Sequence, residues 1–552
     1  MMTVIFLVAL ALRLYGINFG LPGEAHSDEP FLVMHALRFG QGDLNPHWFV
    51  YPTLYMYVLF GFYALLFLFG FLLGVFSSTS DFAVAYFTDP TSFYLLGRSV
   101  TALLGAATVI PLYLLGSRLF SRRAGILAAL FLAVTFLHVE NSHYITTDVP
   151  MTFLTTLALY FAVRLMEEGR IRWYVLAGLA AGLAISTKYT AALIVVPLAS
   201  AHLPGAGGSW RGLLPALRSK RLYMGGIAVV VGFLIGTPFA LLDFLTFYPF
   251  LTGFLEYGRV GFVGLVYTPW VSVFTDFLPE GMSVYLTLLA LAGLLYGLVV
   301  RRTRGDLIIG SFVVVYFLVI GGSQLNLPRF WVILVPPLVL FGGRLLDDLV
   351  GRWISKPGLQ GVVLILVALL FSVAPLSRSL RYDYFISHKD TAVLAKEWIE
   401  ANIPPGSRIA TTLYGPRLSQ TREAINEEYR LRLQEAESVS QARSLDPTPK
   451  ESVETKALYY EMLLKVPLRE PSYYAVRQTA LANLSLEYYL ENGFEYLVEN
   501  ASTRNAYLRD RDKYPDVAVF YETLDRDFER VQELWPNRTD RPGSGIIIYK
   551  LK

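Results

Sequence analysis

The first two thirds of the chain are a succession of apolar runs separated by short polar stretches. A segment that crosses a bilayer needs roughly 20 mostly apolar residues. Candidate runs lie at residues 2–19, 93–115, 125–137, 151–165, 173–185, 191–203, 223–242, 283–300, 307–320, 330–341 and 361–375. In lipid every backbone polar group must be satisfied internally, so such a chain can span only as a bundle of helices. The composition agrees. Charged residues are 16% of 552 and hydrophobic residues 54%, whereas a soluble domain carries roughly 25% charged residues. An ordinary soluble enzyme and a disordered chain are both excluded.

These runs predict a polytopic α-helical membrane protein with about 11–13 spanning helices. Past residue 375 no long apolar run remains, and the polarity rises. The chain therefore divides into a membrane domain at 1–375, with a first outer loop at about 20–92, and a soluble α/β domain at 376–552. Within the latter, residues 390–400 have helical spacing. The stretch Ile403-Pro-Pro-Gly-Ser-Arg-Ile-Ala reads as a turn into a strand, residues 423–450 as a charged helix and loop, and 495–498 and 546–549 as short buried strands.

Orientation follows from basic residues, which stay cytoplasmic in short loops. The clusters are Arg118/Arg122/Arg123, Arg164/Arg170/Arg172, Arg211/Arg218/Lys220/Arg221, Arg301/Arg302/Arg304 and Arg344/Arg352/Lys356. With the spans above they all fall on the side of the N-terminus, which places the alternate loops and the C-terminal domain outside the cytoplasm. The first run lacks a charged leading segment and a clear cleavage site, so it reads as an uncleaved helix. Residues 51–76 are apolar enough to cross, but a single crossing would reverse every downstream loop. They are expected to lie at the interface, re-enter, or form a hairpin of two short helices.

Net charge is +3 with no concentrated basic face, so a nucleic-acid partner is not expected. The absence of cysteine excludes disulfides, thiolate catalysis and cysteine-based zinc sites. Five of the seven histidines, His26, His35, His47, His138 and His143, lie in or near the first two outer loops. A divalent metal held with Asp28, Glu29 and Glu140 is one reading, but no helical H-E-x-x-H spacing supports it. Backbone-bonded histidines, and no required cofactor, are the expectation. Asp510-Arg-Asp512 and Asp525-Arg-Asp527 sit among Arg, Lys and Glu and read as solvated surface.

Ionisable residues at the edges of membrane spans are costly to hold and tend to be functional. Asp28 and Glu29 follow the first helix; they can serve as base and orienting group, or simply favour a helix start. Asp148 precedes Pro150 at another helix start and can act as an N-cap. Lys188 and Arg329 stand at the mouths of two further helices, where they either snorkel or hold a phosphate. Arg13 and Arg98 lie inside apolar runs and need an acidic residue or a lipid phosphate as partner. Carboxylates and cations thus collect on one face, which suits phosphate-linked chemistry.

Four stretches make the chain familiar: Asp28-Glu29; Tyr51-Pro-Thr-Leu-Tyr leading to Gly97-Arg98-Ser-Val-Thr-Ala; Ser142-His-Tyr-Ile-Thr-Thr-Asp148-Val-Pro; and Gly178-Leu-Ala-Ala-Gly-Leu-Ala-Ile-Ser-Thr-Lys188. With Pro328-Arg329-Phe-Trp they span nearly all of 1–375. In this combination the chain resembles the GT-C membrane glycosyltransferases, in the branch of the protein O-mannosyltransferases and the aminoarabinose transferases. The resemblance implies inverting transfer of a sugar from a polyprenyl-phosphate donor to a protein, lipid or glycan acceptor on the extracytoplasmic face. It implies Asp28 as base, Glu29 and Asp148 in the acidic site, Lys188 and Arg329 on the donor phosphate, and Arg98, His143 and Tyr51 in support. No β-trefoil insert is present, so acceptor identity does not carry over. The rival classes are a transporter of lipid-linked sugars, which usually shows an internal repeat, and a membrane scaffold presenting the C-terminal domain.

Overall fold

The computed structural model describes residues 1–23, 26–203, 216–260, 267–412, 414–442, 463–464, 470–478, 480–537 and 539–552. Arg211 and the expected loop at 443–450 lie outside them. Among the described residues seven helical stretches are long and apolar enough to cross a membrane: Leu54–Leu72, Thr91–Leu119, Asp148–Glu168, Val284–Arg301, Arg304–Gly321, Pro328–Trp353 and the one that begins at Pro357 and is continuous to Ile386. Shorter apolar helices are Met2–Leu14, Ile171–Ile185 and Tyr189–His202. The chain is an integral membrane protein, mostly helical, with a small sheet near its C-terminus.

Residues 51–76 do not form a hairpin. Their centre is one continuous 19-residue helix, Leu54–Leu72. No helix-breaking Pro or polar pair interrupts that run, so nothing in the sequence turns the chain back. The expected division at 375/376 falls inside a second continuous helix, Pro357–Ile386, which runs through Pro375.

Glycines set the closest helix packing. Helix Ile171–Ile185 lies against Lys220–Gly236, and a Cβ on Gly178 would strike the Gly225 carbonyl, one on Gly182 that of Val229. Close backbone approach through small residues is the usual way for membrane helices to associate. It fixes the end of Ile171–Ile185, where Lys188 follows.

Among the described residues the C-terminal sheet is built from β1 Arg408–Thr412, β2 Tyr474–Gln478, β3 Tyr496–Asn500, β4 Glu529–Leu534 and β5 Ile546–Lys550, in the order β2-β1-β3-β5-β4. Strands β1, β2 and β3 are parallel, while β5 runs antiparallel to β3 and β4. Alternate residues face two apolar cores: Leu497 packs with Tyr489 and Ile547 on one side, Val498 with Ile399 and Ile548 on the other. The expected helix at 390–400 is Thr391–Asn402, capped by Asp390 accepting from the Val393 amide at 2.7 Å.

Candidate active site

Asp28 and Glu29 open the helix Asp28–Arg38, but neither side chain caps it. Successive helical residues point about 100° apart, and the two carboxylates go to different partners. Glu29 is fully buried and receives a bidentate ion pair from Arg98, Nε to Oε1 and Nη2 to Oε2, both at 2.8 Å. The Ile145 amide donates to the same Oε1 at 3.0 Å. Arg98 Nη1 donates to the carbonyls of Ile17 and Phe19, and its guanidinium lies 4.2 Å from the centre of the Phe19 ring. This pair ties the first loop to helix Thr91–Leu119 and to the stretch before Asp148. Both oxygens of Glu29 are therefore hydrogen-bonded within the fold.

Asp28 faces the other way. Its Oδ2 lies 3.0 Å from Arg329 Nη1 and accepts from the Tyr51 hydroxyl at 2.9 Å. Burial alone would raise this carboxyl, but Arg329 above all, then His26, Tyr51 and Lys188, hold it below its ordinary value. Burial, then the charge on Asp28, push the Tyr51 phenol well above its usual range, so it remains a donor.

Asp148 begins the helix Asp148–Glu168 without capping it. Its Oδ1 accepts from Lys188 Nζ at 2.6 Å, and both side chains are buried. Lys188 therefore does not snorkel. It follows the end of Ile171–Ile185 in an extended conformation that turns its side chain inward. The segment is pinned by the Leu54 amide on the Ser186 carbonyl at 3.1 Å and by Ser186 Oγ against Thr237 Oγ1 at 2.6 Å. Burial draws the ammonium below its ordinary value; Asp148 opposes this and Arg329 adds to it.

The two ion pairs are neighbours. Lys188 Nζ stands 4.5 Å above the ring of Phe330, the residue after Arg329. The turn that carries them is anchored by Tyr316 donating to the Phe330 carbonyl and by Trp331 Nε1 donating to Asn326 Oδ1. Asp28, Asp148, Lys188, Arg329 and Tyr51 thus form one cluster, with Asp148 and Lys188 buried and the other three partly exposed. His26 joins it, with Nε2 at 2.8 Å from Arg329 Nη1. Sequence reasoning placed His26 only among possible metal ligands; its position two residues before Asp28 was the available signal.

His143 lies elsewhere. It is buried against helix Met2–Leu14, with Nδ1 on the Val139 carbonyl at 3.0 Å and Nε2 on that of Tyr15 at 3.1 Å. Burial takes its pKa down to about 4. Arg13 donates to the carbonyls of Ala9, Leu132 and Ala133 and to Ser142, meets His138 Nδ1, and has Asp383 within electrostatic reach. Among the described residues no three His, Asp or Glu side chains come together as a metal site. In Asp525-Arg-Asp527, Asp525 binds Arg504, Arg530 and Tyr549.

Residues 95–234 match the model of the family described as dolichyl-phosphate-mannose-protein mannosyltransferase. A curated Aquifex aeolicus protein, described as uncharacterized, is 34% identical over 99 residues, which are 18% of this chain and 20% of that protein. The apo oligosaccharyltransferase of Archaeoglobus fulgidus is similar in fold, with a TM-score of 0.53 and 11% identity over 94% of this chain and 70% of that one. The same organism's AglB, in complex with an inhibitory peptide and a dolichol-phosphate, gives 0.50 and 12%, again over 94% and 70%. ArnT from Cupriavidus metallidurans bound to undecaprenyl phosphate gives 0.50 and 15%, over 99% of this chain and 97% of that one. In fold, the chain is thus similar to these membrane transferase structures, and its residues 95–234 match the mannosyltransferase family model.

Proposed function

We propose that this chain transfers a glycosyl group from a polyprenyl-phosphate-linked sugar to a hydroxyl-bearing protein, lipid or glycan acceptor, on the extracytoplasmic face and with inversion. The observation that carries this reading is the cluster in which Asp28 and Asp148 pair with Arg329 and Lys188. A carboxylate beside two cations is what attack by a hydroxyl on a lipid-phosphate sugar requires.

Asp28 takes the acceptor's proton as the acceptor oxygen bonds to the anomeric carbon. The bond from that carbon to the phosphate oxygen breaks, and its electron pair leaves on the polyprenyl phosphate. Negative charge therefore passes from Asp28 to the phosphate. Arg329, already on Asp28, holds the phosphate on its other side and sees the charge move across it. Before the reaction, donor phosphate on Arg329 draws that cation from Asp28, removes the strongest influence holding the carboxyl down, and makes it a better base. Lys188 neutralises the leaving phosphate, and Tyr51 orients Asp28. Two protein cations give the phosphate the charge a metal would otherwise supply.

The test is to incubate membranes containing the protein with a panel of radiolabelled polyprenyl-phosphate sugars. Wild type should release label from one of them to an acceptor, and Asp28→Asn should lower transfer by about 100-fold or more while inserting normally. Undiminished transfer by the variant would remove Asp28 from the chemistry.

A further inference from the structure

The ring of His26 is fixed from two sides. Its Nδ1 accepts from the Asp28 backbone amide at 3.1 Å, and its face lies against Tyr144, with ring centres 4.9 Å apart. A neutral imidazole has one N–H and one acceptor nitrogen. The amide hydrogen is fixed by the backbone, so we assign Nδ1 as the acceptor and place the hydrogen on Nε2. That Nε2–H meets Arg329 Nη1 at 2.8 Å, and a guanidinium also only donates. Asp28 Oδ2 serves Arg329, yet among the described residues no acceptor is bonded to Nε2. Two donors at this separation are complementary to one shared anionic oxygen. Desolvation favours the uncharged ring, so an oxygen placed there would be held by hydrogen bonding rather than by charge on His26.

We propose that His26 is a ligand of the donor phosphate, its Nε2–H and Arg329 Nη1 donating together to one phosphoryl oxygen. This rests on the lipid-phosphate reading above. The oxygen replaces a donor–donor contact with two charge-assisted hydrogen bonds, and it draws Arg329 away from Asp28. His26 thus couples occupation of the phosphate position to release of the base.

The test measures binding of undecaprenyl phosphate, and of undecaprenol as the same chain without phosphate, to the purified full-length protein in detergent. His26→Ala should bind undecaprenyl phosphate about 10- to 100-fold more weakly, the range for a hydrogen bond to a charged group. Its undecaprenol affinity and thermal unfolding midpoint should match wild type. His26→Gln, whose amide can donate from nearly the same place, should recover most of the loss. Unchanged phosphate affinity in His26→Ala, an equal loss for undecaprenol, or no recovery in His26→Gln would overturn the assignment of His26 alone. A wild-type protein that does not prefer undecaprenyl phosphate to undecaprenol would overturn the lipid-phosphate reading, and His26 with it.

Discussion

Arg329 Nη1 lies 3.0 Å from Asp28 Oδ2, joining the turn before one membrane helix to the loop after the first, 301 positions apart in sequence. With Lys188 on Asp148 it makes a site in which each cation already has a carboxylate. A phosphate must compete for these cations, so its arrival changes the carboxylates as well as the charge balance.

Lys188→Met should weaken undecaprenyl phosphate binding by about 1–3 kcal/mol, the worth of a hydrogen bond to a charged group. It also strands Asp148 in a buried position, so expression of the single variant should fall. Lys188→Met combined with Asp148→Asn removes both charges and should restore expression without restoring binding. Titration and yield of the three variants check this; normal binding in the double variant would show that Lys188 serves only to neutralise Asp148.

Glu29→Gln should act on folding more than on binding. It leaves the Arg98 charge buried without its counter-ion, and breaking a fully buried pair costs about 3–5 kcal/mol. A lower unfolding midpoint, with the residual folded protein still binding donor, is the expected outcome. A stable but inactive variant would instead give Glu29 a direct part in the reaction.

Tyr51→Phe removes a hydrogen bond that favours the charged form of Asp28. The Asp28 pKa should rise, and the acidic limb of the rate–pH profile should move to higher pH with it. An acidic limb unmoved by the substitution would place another group in control of that limb.

Glu140 titrates in the opposite sense. Burial raises its carboxyl from an ordinary 4.5 to about 7. The folded protein binds the proton more tightly than the unfolded chain, so this group's contribution to stability falls as pH rises between those values. Unfolding midpoints from pH 5 to 8 should decline less for Glu140→Gln than for wild type.

Much of the site was legible because charge next to apolar sequence is expensive to hold. Asp28, Asp148, Lys188 and Arg329 stood out on that ground alone. The assignment of Asp28 as base with Glu29 beside it came only from the family resemblance, because adjacent carboxylates look alike until a helix turns them to different neighbours. His143 carries a motif position but turns its ring nitrogens toward the carbonyls of Val139 and Tyr15, which only the packing of helix Met2–Leu14 decides. Residues 51–76 were misread as a possible hairpin because charge asymmetry describes loops and says nothing of continuity within a helix. In the C-terminal domain β1, β3 and β5 were announced by short apolar runs beside turns, whereas β4, with the exposed pattern of an edge strand, left no such signal.

The most direct measurement is the structure of the wild-type protein with undecaprenyl phosphate bound. The phosphate should lie within hydrogen-bond distance of both Arg329 and Lys188, with the Arg329–Asp28 separation longer than its present 3.0 Å. A phosphate bound away from these two side chains, with the Arg329–Asp28 pair intact, would rule this out.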